Sequence, residues 1–118
     1  MTLDPASIAR DWVDAFNSHD LARIMAHYRV DVVLTSPVYL QVSKGKTATV
    51  QGKAAVEAYF TRGLAAYPDL HFTLHEVYEG NGSVCVRYHT TVGDRMACEC
   101  MEFDPSGLVH RVLAHYAR

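Results

Sequence analysis

The spacing of hydrophobic positions changes once along this chain, from the period of amphipathic helices to the alternation of strands. Asp4 and Pro5 suit the N-cap and the first residue of a helix. Apolar residues then recur at helical spacing as far as about Asn17, namely Ile8, Trp12, Ala15 and Phe16. We therefore predict a first helix that ends near Asn17 and carries a broad aromatic face.

The following residues predict a second helix and then a strand. Ser18 or Asp20 can cap the helix, and its apolar pattern continues to about Tyr28. β-Branched residues at 30–34 favour a strand, and Pro37 ends it because proline cannot donate a hydrogen bond to a sheet.

The segment 38–51 has mixed signals, and we assign it only an exposed turn at 43–46. A third helix is predicted over 53–66, and Tyr67-Pro68 ends it. The apolar residues on one side of this helix are Val56, Tyr59, Phe60 and Leu64.

The rest of the chain has the pattern of a strand meander interrupted by turn residues. Asn81-Gly82 is a strong hairpin signal, and a two-residue turn at Gly93-Asp94 suits type II′. The strands are predicted near 70–80, 83–92, 95–103 and 108–116. Three helices followed by a strongly curved, mainly antiparallel sheet make an α+β architecture, with one domain over residues 1–118.

Turn geometry predicts which strand residues share a face, since a slip of one residue would invert every side chain. These turns set Tyr88 opposite Glu99 and Met101 opposite His110. The largely apolar face, which we assign to the concave interior, contains Val84, Val86, Tyr88, Thr90, Ala97, Glu99, Met101, Phe103, Leu108, His110, Val112, Ala114 and Tyr116. The opposite face, assigned to the outside or to a dimer interface, contains Cys85, Arg87, His89, Thr91, Met96, Cys98, Cys100, Glu102, Val109, Arg111, Leu113 and His115.

One observation conflicts with this assignment. The same register, which pairs Glu76 with Arg87, also places Leu70, Phe72 and Leu74 on the charged face. Such a placement requires either a bulge in the strand near 70–80 or burial of that face in a dimer.

Composition narrows the function classes. The 118 residues carry a net charge of −2, and no run of Lys or Arg offers a local surface for nucleic acid. No apolar stretch is long enough to span a membrane, and Asp4-Pro5 stands where a signal peptide would be basic. We therefore expect a soluble, cytoplasmic protein without nucleic-acid or membrane partners. Because three cysteines are an odd number in a domain of this size, Cys85, Cys98 and Cys100 are expected to be reduced thiols.

These features resemble the nuclear transport factor 2-like (NTF2-like) superfamily, and within it the SnoaL-like branch. The residues that carry the resemblance are Trp12, Phe16, Asn17, Asp20, Tyr28, Asp31, Ser36-Pro37, Gly52 and Phe103-Asp104-Pro105-Ser106-Gly107. The resemblance covers nearly the whole chain and implies a cone-shaped fold whose interior holds a small molecule. The superfamily includes ketosteroid isomerase, scytalone dehydratase, limonene epoxide hydrolase, polyketide cyclases and non-catalytic binding domains, commonly as dimers through the sheet.

The resemblance also singles out Glu99, which occupies the position of the isomerase's neutral aspartic acid, the group that hydrogen-bonds the substrate oxygen. Burial disfavours the ionised form of a carboxyl, so Glu99 is a candidate acid or hydrogen-bond donor. The alternative is a structural carboxyl bonded to Tyr88 or Trp12. The isomerase's general base corresponds to Ser36 and its oxyanion tyrosine to Trp12, so steroid isomerisation is not expected. The catalytic aspartate of polyketide cyclases and the epoxide-hydrolase triad have no match here.

An alignment to the isomerase counted from Asn81 instead turns Arg87 and His89 inward. In that arrangement His89 could act as a general base beside Arg87, which could bind a carboxylate or enolate. Candidate ligand-binding residues on either view are Trp12, Phe16, Ser36, Tyr39, Phe60, Arg87, Tyr88, Met101 and Tyr116. His71 and His75 would lie about 13 Å apart along a strand. Since Cys98-x-Cys100 also lacks a second cysteine pair, neither a metal nor a cofactor is expected.

Two function hypotheses follow from the sequence. The first is a cofactor-independent cyclase, isomerase or dehydratase acting on a small apolar molecule, with Glu99 as acid or acid/base and His89 as a second candidate. The second is a non-catalytic dimeric module that binds a ligand or a protein. An open cavity beside Glu99 would support the first hypothesis, and a filled interior would support the second.

Overall fold

The computed structural model describes residues 4–118 as four helices and one curved six-stranded sheet. The helices are α1 (Pro5–Ser18), α2 (Leu21–Met25), α3 (Pro37–Val42) and α4 (Lys53–Ala66). The strands are β1 (Tyr28–Thr35), β2 (Thr49–Gln51), β3 (Phe72–Glu79), β4 (Ser83–Thr90), β5 (Arg95–Phe103) and β6 (Val109–Tyr116). The predicted α+β architecture is confirmed.

Local chemistry sets the helix boundaries. The carboxylate of Asp4 accepts a hydrogen bond from the backbone N–H of Ala6 at the start of α1. His19 ends that helix in the left-handed backbone conformation. Asp20 caps α2, but this helix ends at Met25 rather than continuing to Tyr28 as predicted. Tyr28 is instead the first residue of β1. Its side chain packs in the core and is 1% exposed.

The segment with mixed signals contains a short helix and a short strand. Ser36 caps α3 by accepting the amide of Val38, and Pro37 occupies the first helical position. The predicted turn at 43–46 follows, with Lys44 and Gly45 at positive φ. The strand β2 then pairs with β1. At its end, Gly52 opens α4 at a φ of 91°.

The strands lie in the order β2-β1-β6-β5-β4-β3, and every pair is antiparallel except β1 with β6. The helix α1 packs on β3 and β4, and α4 packs on β1 and β2. Burial alternates along β4 and β5, so the side chains that face the helices form the core. We call this helix-covered side the inner face and the opposite side the outer face. No described helix combines the length and apolar character needed to cross a membrane.

A bulge in β3 resolves the conflict found in the sequence. Glu76 pairs with Arg87 as predicted, but Leu74 pairs with Tyr88, so His75 is the extra residue. The bulge moves Phe72 and Leu74 to the inner face, where Phe72 lies 4.5 Å from Tyr88 between ring centroids. The inner face is therefore largely apolar, with Glu99 as its buried carboxyl.

Two predicted registers are wrong. Residues 91–94 form a four-residue connection rather than a two-residue turn, so Tyr88 pairs with Ala97 instead of Glu99. In the last hairpin Met101 pairs with Val112 instead of His110. Both errors are shifts by two residues, which leave the face of a side chain unchanged.

The prediction of which side chains face inward is also wrong at the start of β6. An irregularity between Glu102 and Phe103 pairs Phe103 with Val109. Val109, predicted on the outer face, is fully buried and takes the inner place predicted for His110, which is half-buried.

Candidate functional site

A cavity of about 360 Å³ lies between the inner face of the sheet and the helices α1, α3 and α4. This volume suits a small molecule. Seven of the residues predicted for the site line it, namely Trp12, Phe16, Ser36, Phe60, Tyr88, Glu99 and Tyr116. Most of the wall is apolar, so the few polar groups in it determine what chemistry the cavity offers.

Glu99 is the buried carboxyl of this wall. It lies in the middle of β5 and is 8% exposed. The Tyr88 hydroxyl donates a hydrogen bond to Oε1 of Glu99 at 3.0 Å, and it is the one hydrogen-bond partner of this carboxyl among residues 4–118. Burial raises the pKa of Glu99 to about 7, and the bond from Tyr88 opposes part of that increase. Both protonation states of Glu99 are therefore populated near neutral pH.

Three tyrosine hydroxyls share this environment. Burial raises the pKa of Tyr59 to about 12, and it also raises the pKa of Tyr88 and Tyr116 above the usual value. The negative charge of Glu99 adds to the increase for each of them. All three phenols consequently remain protonated and able to donate hydrogen bonds at neutral pH.

Trp12 contributes its ring to the wall, but its N–H is already used. The indole Nε1 donates to the buried Tyr28 hydroxyl at 2.8 Å. The ring packs against Phe16, Phe72 and Tyr88, with centroid distances of 4.9, 5.7 and 5.6 Å. Trp12 can therefore present an aromatic surface to a ligand but not a hydrogen-bond donor.

Four predicted site residues lie outside the cavity wall. His89 and Arg87 occupy outer-face positions of β4, where His89 bonds Asp94 at 2.8 Å and Arg87 pairs with Glu76 at 3.0 Å. The inward alignment of these two residues is therefore wrong, because the strand alternates from Val84 onwards. Met101 is fully buried in the core, and Tyr39 packs edge-on against the Tyr59 ring.

The sequence prediction missed Arg95, which also lines the cavity. It precedes Glu99 by four residues in β5 and therefore projects to the same face. Its guanidinium carbon lies 4.5 Å from the centroid of the Tyr116 ring. The strand alternation that places Glu99 inward places Arg95 on the same face and was the signal that could have identified it.

The three cysteines lie together on the outer face and are free. Their sulfur atoms are within 4.8 Å of one another, and within residues 4–118 no other group of three metal-ligating side chains is this close. Burial raises the pKa of Cys98 and of Cys100. This environment favours the neutral thiol. Metal ions bind the thiolate instead.

Comparison with known proteins agrees with this architecture. A family model of the SnoaL-like domain matches residues 9–116. A SnoaL-like protein of unknown function from Burkholderia thailandensis is 36% identical, and its crystal structure has a TM-score of 0.90 over 97% of this chain and 95% of that chain. No curated protein matches the sequence.

Two more distant crystal structures share the fold. A candidate ketosteroid isomerase from Kribbella flavida is 22% identical, with a TM-score of 0.75 over 95% of this chain and 76% of that chain. A candidate polyketide cyclase from Sinorhizobium meliloti is 14% identical, with a TM-score of 0.75 over 92% and 94% of the two chains. With a family model that spans nearly all of its length and a relative of this similarity, the chain belongs to the SnoaL-like domain family.

Proposed function

We propose that the cavity binds a small, largely apolar molecule and that Glu99 acts on it as an acid or acid/base without a cofactor. The reaction class is an isomerisation, cyclisation or dehydration next to a carbonyl group. The observation that carries this proposal is a buried carboxyl in the wall of an open cavity, with a pKa of about 7. Perturbed carboxyls in clefts are typical of acid/base sites.

The geometry gives Glu99 a defined direction of action. The Tyr88 hydroxyl donates to Oε1, which leaves Oε2 to carry the proton of the neutral acid. The protonated form can give its proton to a carbonyl oxygen of the ligand while water takes the proton of the adjacent C–H, which forms the enol and leaves Glu99 ionised. The ionised form can accept a proton in the reverse direction. Tyr59 and Tyr116 line the same cavity, so their protonated hydroxyls are candidate further donors to the ligand.

The apolar wall supports this role. The aromatic rings of Trp12, Phe16 and Phe60 offer flat surfaces for a ring or chain, and they keep the dielectric constant around Glu99 low. Two similar structures are candidates for ketosteroid isomerase and polyketide cyclase activity, which both involve proton transfer next to carbonyl groups. Since Ser36 caps a helix and is not a carboxylate, the steroid reaction itself is not part of the proposal.

Proton exchange of β-tetralone, a small bicyclic ketone, tests the proposal. NMR in D₂O follows the loss of the proton signal at the carbon next to the carbonyl. We expect the wild type to accelerate exchange, and Glu99→Gln to reduce the acceleration by about a hundredfold or more. The matched control is Glu102→Gln, which changes an outer-face carboxyl of the same strand that pairs with Arg111. Equal exchange rates for wild type and Glu99→Gln would refute acid/base catalysis on this probe.

A second candidate function is a non-catalytic binding module that dimerises through the sheet. The observation that favours it is the hydrogen bond from the Tyr88 hydroxyl to Glu99, because such a bond can hold a buried carboxyl in a purely structural role. In addition, no helix among residues 4–118 covers the outer face, on which half-buried Leu113 lies beside the cysteines. Binding of β-tetralone without catalysed exchange, together with a dimer in sedimentation at micromolar concentration, is the result expected for this candidate. A monomer would contradict the sheet-to-sheet dimer.

A further inference from the structure

Arg95 is a charged residue of the cavity wall that the proposed function leaves without a role. It lies at the start of β5, pairs with Thr90 across the sheet and shares the inner face with Glu99. Its guanidinium lies over the Tyr116 ring, which is itself part of the cavity wall. Arg62 on α4 also lines the cavity but is exposed to solvent, so Arg95 is the half-buried cation of a wall that also holds one carboxyl.

The structure offers this cation no counter-ion. Within the described part of the chain Arg95 takes part in no ion pair, whereas Arg87 and Arg111 on the outer face pair with Glu76 and Glu102. The Nε atom of Arg95 is also buried and has no hydrogen-bond acceptor within residues 4–118. A buried N–H without an acceptor is destabilising, and a guanidinium in apolar surroundings attracts an anion more strongly than one in water.

We propose that Arg95 is an anion subsite and that the ligand of this cavity is an apolar molecule bearing a carboxylate. The inference rests on the proposed function, because it assumes a ligand whose other polar end meets Glu99. A carboxylate fits the planar fork of a guanidinium through two parallel hydrogen bonds. The stacking on Tyr116 holds that fork at the wall and limits the directions from which an anion can approach.

The two polar ends of the cavity also limit the size of the ligand. Residues four apart in a strand have Cα atoms about 13 Å apart, which is the spacing of Arg95 and Glu99. Tyr116 pairs with Ala97, midway between them, and the Arg95 guanidinium leans over its ring. The gap between guanidinium and carboxyl is therefore shorter than the Cα spacing. It suits an acid with one or two rings and a second oxygen function at the far end.

Two matched probes test the subsite, namely 2-naphthoate and 2-naphthamide, which share a ring system and differ in charge. Dissociation constants are measured by fluorescence titration at about pH 6, where the naphthoate is ionised and Glu99 is mostly neutral. We expect the wild type to bind naphthoate at least about tenfold more tightly than naphthamide. Arg95→Gln should abolish this preference and leave naphthamide binding within about twofold of wild type. Arg111→Gln, on the outer face, should retain the wild-type preference.

The possible results separate this inference from the proposed function. Equal wild-type affinities for the two probes would overturn the anion subsite while leaving the cavity as a ligand site. A naphthoate preference that persists in Arg95→Gln would overturn the role of Arg95. Binding of neither probe would overturn both proposals. If Arg95→Gln fails to fold, Arg95→Lys replaces it, because lysine keeps the positive charge but lacks the planar guanidinium. We then expect naphthoate binding to weaken by at least about threefold and naphthamide binding to stay unchanged.

Discussion

The buried carboxyl of Glu99 makes the stability of this protein depend on pH in a specific direction. A Glu carboxyl with a pKa of 4.5 in the unfolded chain has a pKa of about 7 in the fold. Between these two values the folded state binds the additional proton, so raising the pH favours unfolding. The contribution is complete below about pH 4.5 and is lost as the pH rises through about 7.

The magnitude follows from the interval between the two pKa values. From 4.5 to about 7, at about 1.4 kcal/mol for each pH unit, the loss in free energy of unfolding is about 3 kcal/mol. Glu99→Gln keeps the shape of the side chain and an oxygen to accept the Tyr88 hydroxyl, but it does not ionise. We therefore expect the variant to match the wild type at about pH 4 and to exceed its stability by about 3 kcal/mol at about pH 8.

Urea denaturation of both proteins across this pH range measures the difference directly. Other titrating groups are common to the two proteins and cancel, so the pH dependence of the difference reports on Glu99 alone. Glu102→Gln is the matched control, since that carboxyl is half-exposed and paired with Arg111 on the other face of the same strand. A difference between Glu99→Gln and wild type that stays constant within about 0.5 kcal/mol would refute the raised pKa.

Three further substitutions and one control test contacts and backbone conformation near the cavity, each by urea denaturation. Trp12→Phe removes the donor to the buried Tyr28 hydroxyl and should cost about 2 kcal/mol; a loss below about 0.5 kcal/mol would contradict the importance of this bond. Asn17→Ala removes both side-chain hydrogen bonds to the β3 backbone and should lower the free energy of unfolding by about 2 kcal/mol. It should also accelerate hydrogen exchange of the β3 amides, and unchanged exchange would contradict the role of Asn17 in joining α1 to β3. Gly52→Ala should lower the free energy of unfolding by at least about 1 kcal/mol, because φ is 91° at a site where the added Cβ meets no other atom of residues 4–118. The control Gly63→Ala, inside α4 and also in open space, should raise the free energy of unfolding. Changes of the same sign in both variants would exclude backbone strain as the cause.

The sequence predicted most of the fold because its signals are local. The helix predicted over about 53–66 is confirmed as Lys53–Ala66, since Tyr67-Pro68 and the apolar period mark it. The strand β2 could not be predicted, because it depends on its pairing with β1 rather than on its own pattern, and Ser36-Pro37, which begins α3, was interpreted only as the end of a strand. The bulge at His75 was left as one of two alternatives, since a bulge is decided by the packing of Phe72 and Leu74 against the inner face.

The site was predicted in part for a related reason. Strand alternation placed Glu99 inward, and errors of two residues in the turns did not affect that result. The role of Trp12 depends on its distance from Tyr28, and no sequence pattern encodes that distance. Arg95 was missed although alternation along the predicted strand 95–103 places it on the same face as Glu99.

The parallel pairing of β1 with β6 has a consequence for how the chain folds. Tyr28 pairs with Val109 and Thr35 with Leu113, so the two halves of the sheet are joined by contacts between distant parts of the sequence. Closing loops of this length slows folding, and neither half can complete its hydrogen bonding alone. We expect one slow, cooperative transition without a stable N-terminal intermediate, and the cavity wall to form only when Tyr116 and Ala114 dock. Acquisition of the native state and acquisition of the binding pocket should therefore be a single kinetic event.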